Sequence, residues 1–183
     1  MESVQKMIYA MPLGRMILLI IMMVVVMAVL NLLIGMIARE KYKSASRQLG
    51  IMVMVVGVLG AVAFTLFRES GIREVIWVPF TTMMTAGEEF RMPIMNTALF
   101  VPFGIGMSQV LSVKHKMGAC IGRTILIGLL LSVVVEALQF AFALGTTETD
   151  DVIFNTLGTA IGSMQVALSR LLLIWKNKSI LEV

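Results

Sequence analysis

Cysteine is almost missing from this chain: Cys120 stands alone, so neither an internal disulfide nor a cysteine-based metal cluster is available. Aromatics are few, at 7%, and no basic groove accompanies them, which argues against nucleic-acid binding. The one histidine, His115, lies between two long apolar stretches, far from the carboxylates that would need it as a base. Internal repeats, low-complexity tracts and interdomain linkers are also absent.

What is abundant is apolar surface. The 183 residues are 58% hydrophobic, with mean hydropathy +0.94. That length suits one compact domain, residues 1–183. The composition makes it an integral membrane domain. Five stretches are long enough to span: Met16–Ala38, Leu49–Phe67, Ile94–Val113, Thr124–Leu144 and Val152–Ser169. The expected fold is all-α, a bundle of about five transmembrane helices. The first span is too long for a signal-peptide core and no cleavage site follows it, so it reads as an anchor. The 17 methionines are scattered through the spans and read as filler on a lipid-facing surface.

Orientation follows from Lys and Arg in the short loops. Arg39, Lys41, Lys43 and Arg47 lie in the first loop, Lys114 and Lys116 in the third, and Arg170, Lys176 and Lys178 in the tail. The loop at Gly145–Asp151 has none. The expected topology is N-terminus outside and C-terminus cytoplasmic; Lys6 with Arg15 pulls mildly the other way. The second loop, Arg68–Met92, is the only long one. Its Ile76-Trp77-Val78-Pro79-Phe80 run is too short to span. It reads as an interfacial or re-entrant segment, or as a loop resting its aromatic end on lipid.

Polar residues converge on the outer side. Glu136 sits among Val, Leu and Phe, about 12 Å inward from Leu144 at 1.5 Å per residue. A carboxylate there costs roughly 2.5–3.5 kcal/mol even on a lenient insertion scale, so it marks a functional site by default. Ser132, Glu136, Gln139 and Ala143 share one helix face, which should turn into the bundle. Asp151 and Asn155 are four apart at the start of the fifth helix. Asp150 or Asp151 also reads as a simple helix cap. Asn96 reads equally as a cap or a site residue. Gly158 and Gly162 form a G-x-x-x-G pair suited to close helix packing, and Pro102 with Gly104 shapes the third helix. Arg68, Arg73 and Arg91 are candidate partners for Glu136 or for an anionic ligand.

These residues carry a family pattern. Val78-Pro79-Phe80 is followed by Asn96, Phe100, Pro102 and Gly104, spaced N-x-x-x-F-x-P-x-G. Then come Ser132, Glu136 and Gln139, and finally Asp151, Asn155, Gly158 and Gly162. Over about residues 79–162 the chain resembles the VanZ-like family of small bacterial membrane proteins. The founding member is associated with resistance to the glycopeptide teicoplanin. One departure stands out. Family members often carry Gly-Arg ahead of the aspartates, where this chain has Gly145-Thr146-Thr147-Glu148. A cation at that place is missing, or is supplied by Arg68, Arg73 or Arg91.

The resemblance implies a resistance-associated protein, and the polar residues add the expectation that it binds at an outer-leaflet site formed around Glu136 and Asp151. Its expected partners are membrane lipid and a lipoglycopeptide drug or lipid-linked cell-wall precursor. The alternative is an enzyme acting on an isoprenoid-linked or other envelope lipid, with Glu136 as general acid or base. In that reading Asp150 and Asp151 offer oxygen ligands to a divalent ion. No nucleophile–base pair and no recognised metal spacing is visible, so the expectation leans away from an enzyme and requires no cofactor or metal. A transporter built on Glu136 finds thin support, since five helices give no inverted repeat.

Overall fold

The computed structural model describes residues 11–37, 41–66, 71, 73–80, 90–112 and 115–181, with the side chains of 65–66 and 176–181 left aside. Arg68 therefore lies outside the described residues. Among the described residues five helices form: α1 (Leu13–Ile37), α2 (Tyr42–Leu66), α3 (Arg91–Ser112), α4 (Met117–Phe142) and α5 (Thr149–Leu181). All five are long and apolar enough to cross a membrane. Several begin earlier than the apolar runs suggest. Helix α4 starts at Met117 and takes Arg123 into its second turn, where the guanidinium meets the His115 ring.

The bundle is built in the reverse sense to a soluble protein. Large apolar side chains such as Leu18, Val56, Leu130 and Leu171 face outward. Thr124, Ser132, Thr159, Ser163 and Gln165 are buried. Lipid is as apolar as a core, so burial of Leu gains little; small residues that let backbones approach, and polar groups that bond across helices, hold the bundle instead. Helix α3 is the centre and packs on the other four, most extensively on α5 and α2. Its apolar contacts form two small clusters, Val101 and Ile105 with Ile20 and Met27, and Phe100 with Ala61 and Val135. The α3–α5 seam is tight: a Cβ at Gly158 would collide with the Thr97 carbonyl, and one at Gly104 with the Thr159 carbonyl.

The second loop contains an element that local patterning did not reveal. Arg73–Ile76 forms strand β1, which pairs in parallel with β2 (Gly145–Glu148). Parallel strands need a long crossover, and here it is α3 and α4, which carry the chain away and back to the same end. Helix α4 stops in a Schellman turn. Ala143 is left-handed at φ 55°, its N–H bonds Phe140 O at 3.3 Å, and Leu144 N–H bonds Gln139 O at 2.9 Å. This turn delivers Gly145 directly into the ribbon. After β1, Trp77 and Val78 are exposed and Phe80 turns at φ 64°. The segment is thus a strand and a tight turn with its aromatic end outward.

Candidate functional site

The site lies at the ribbon end of the bundle and is assembled by three helices. From α4 come Ser132, Glu136 and Gln139, one turn apart and all buried. With its amide nitrogen facing the carboxylate, Gln139 donates to the two Glu136 oxygens at 2.9 and 3.1 Å. The Glu148 N–H, at the end of β2, donates to Glu136 Oε2 at 3.3 Å. Strand β2 thus solvates part of the carboxylate that α4 buries. From α5 come Asp151 and Asn155, also one turn apart. Asp151 accepts a hydrogen bond from the Asn96 amide of α3, and Asn155 Nδ2 donates to Ser132 Oγ at 2.9 Å.

Asn96, Glu136, Gln139, Asp151 and Asn155 enclose a cavity of about 20 Å³. That is room for one water, far below the space a drug or lipid group needs. Asn155 Oδ1 is buried there without a partner among the described residues. Two carboxylates and three amides therefore form a tight polar knot.

An open site lies beside it. A groove of about 620 Å³ runs between the ribbon and the lipid-facing side of α4. Its walls are mainly apolar: Val75, Ile76 and Trp77 on one side, Val133, Ala137 and Phe140 on the other. Glu136, Thr147, Glu148 and Thr149 supply its polar atoms. Glu136 borders both spaces, the small cavity of the knot and the larger groove.

Asp150 has a different position from Asp151. It lines neither space, and both its oxygens accept from the Phe80 N–H, at 2.8 and 3.0 Å. Thr149 Oγ1 donates to Trp77 O at 3.1 Å and lies 3.3 Å from Ile76 O. Together they fasten the Trp77–Phe80 turn onto the first turn of α5, and so hold the outer wall of the groove. Sequence reasoning missed Thr149, and nothing local signals a bond to a residue about seventy positions away. Arg73 donates to Ala141 O at 3.1 Å, closing the C-terminal end of α4 where a cation suits the helix dipole. Arg91 reaches Met11 O at 3.4 Å. Among the described residues no three of His, Cys, Asp and Glu converge as metal ligands.

Comparison with known proteins adds the lineage. The family profile described as VanZ/LLP1 matches residues 16–172. Protein VanZ of Enterococcus faecium is 38% identical over 88 residues, which are 48% of this chain and 52% of the relative. The matched part thus spans about half the length of that curated relative. No solved structure matches. With five helices among the described residues long and apolar enough to cross a membrane, and a family match over most of its length, this multi-pass membrane protein belongs to the VanZ/LLP1 family.

Proposed function

We propose that this protein is associated with resistance to glycopeptides of the teicoplanin type, and that it acts by binding at the outer leaflet. The drug's acyl tail, or the lipid tail of a cell-wall precursor, lies in the groove between the ribbon and α4. The observation that carries this reading is the groove itself. Its size is that of a ligand site, its walls suit a hydrocarbon chain, and Glu136 and Glu148 stand where a polar headgroup would begin. Trp77 beside it is the residue type enriched at membrane interfaces. The Lys and Arg distribution favours the ribbon end as the outer one. The knot of Asn96, Gln139, Asp151 and Asn155 then serves to hold Glu136 in place, and membrane lipid fills the groove between drug encounters.

The test is the inhibitory concentration of teicoplanin and of vancomycin in a susceptible Gram-positive host. Wild type should raise tolerance to the lipid-tailed drug more than to vancomycin. Ala137→Trp fills the groove from an exposed position and should abolish the gain at normal membrane levels. Glu136→Gln and Asp151→Asn should reduce it. Equal shifts for both drugs, or none in wild type, would sink the proposal.

One observation favours a second reading, an enzyme acting on a lipid-linked substrate. Glu136 is buried yet opens on the groove, as a general acid or base must. Turnover of an isoprenoid-linked substrate by the purified protein, lost in Glu136→Gln, would decide for it.

A further inference from the structure

Asp150 is a buried carboxylate that lines neither the cavity of the knot nor the groove. It is not part of the surface that a groove ligand meets. Its place on the first turn of α5 suits a helix cap and the helix dipole. Neither role requires what its two oxygens do. Both accept from one backbone N–H, that of Phe80 on the far side of the ribbon, at 2.8 and 3.0 Å.

Phe80 has a use for such a partner. Its φ of 64° lies in the left-handed region, which is unfavourable for a residue with a bulky side chain. An outlier of this kind persists where its surroundings hold it, and such outliers gather at functional sites. The turn is gripped on its other side as well. Thr149 Oγ1 donates to Trp77 O at 3.1 Å and lies 3.3 Å from Ile76 O. One residue of α5 thus takes the carbonyl side of the turn, and its neighbour takes the N–H side. Strand pairing ends at Ile76, opposite Glu148, so Trp77 stands past the ladder. Yet Trp77 is part of the groove wall. It is 78% exposed, so packing against the protein does little to hold it.

We infer that Asp150 is a positioning residue for the groove: by holding Phe80 it fixes the Trp77 wall, and with Thr149 it presents that wall preformed to a hydrocarbon tail. The inference rests on the groove being the ligand site. A wall ordered beforehand spares the ligand the cost of ordering it on binding. Asp150 therefore sets affinity from outside the site, through the acceptor it offers to the Phe80 N–H.

Two measurements on the full-length protein in lipid nanodiscs test this. The first is the distance between spin labels at Val78→Cys on the turn and Met164→Cys on α5, by double electron–electron resonance, with Cys120→Ser removing the native thiol. Both label positions are exposed, and Met164 stands about 21 Å along α5 from Asp150 at 1.5 Å per residue. The second is the dissociation constant for teicoplanin by calorimetry, without labels. Wild type should give a narrow distance distribution. Asp150→Leu keeps the size and removes the acceptor; it should broaden the distribution and weaken teicoplanin about tenfold, the cost of ordering one or two side chains on binding. Asp150→Asn keeps an acceptor oxygen without the charge and should behave as wild type in both, which a carboxylate acting by its charge would not. Thr149→Val should also broaden the distribution, so the test survives poor folding of Asp150→Leu. Distances as narrow in Asp150→Leu and Thr149→Val as in wild type would overturn the inference. So would Asp150→Asn matching Asp150→Leu, or a broadened wall with teicoplanin bound as tightly as before. If wild type binds no teicoplanin, the drug reading falls, and the distances alone decide on the positioning role.

Discussion

A single methyl group is enough to probe the packing of α3 on α5. Gly158→Ala places a Cβ against the Thr97 backbone, which cannot rotate away. The expected cost is about 1–3 kcal/mol, the range for overpacking. Gly60→Ala on α2 meets nothing within 4 Å and should be neutral or slightly stabilising. Thermal unfolding in detergent separates the two; equal effects would mean the seam is looser than described. The same scale shows what was legible beforehand. Ser132, Glu136 and Gln139 are placed on one face by helical spacing alone, and all three are buried together. The bond from Asn96 to Asp151 spans 55 positions and depends on how α3 meets α5, which no local pattern encodes. Asn31, Gln109 and Gln165, all buried, passed unnoticed because each is one amide in a long apolar run. Their signal was their cost, the same one that made Glu136 conspicuous.

Among the elements, the five helices were legible because twenty apolar residues leave no alternative in a membrane. The ribbon was not. Thr146, Thr147 and Glu148 show no alternation, and a parallel strand is defined by a partner elsewhere in the chain. What joins helix to ribbon is the left-handed residue Ala143. Glycine is the usual occupant, since a Cβ is strained at positive φ. Ala143→Gly should therefore stabilise the protein by about 1 kcal/mol and leave the groove intact, as measured by unfolding in detergent together with teicoplanin tolerance. A loss of stability would mean that the Ala143 methyl makes a contact worth more than the strain.

The whole molecule has two dissimilar ends, a ribbon end bearing Glu136 and an end bearing Lys43 and Arg170. The proposed function rests on the charge bias, which favours the second as the cytoplasmic end. A green fluorescent protein fused after Val183 should fluoresce, and alkaline phosphatase fused there should be inactive. The reverse pair of results would turn the groove to the inner leaflet and remove the drug from consideration. The ribbon also bears on how the molecule comes into being. Its halves lie on either side of α3 and α4, so β1 waits without a partner until both helices have entered the bilayer and β2 has emerged. Contacts so distant along the chain close slowly, after the local ones. The Glu136 groove therefore cannot close before β2 has emerged, and a nascent chain that ends before β2 has four helices and lacks one side of the groove.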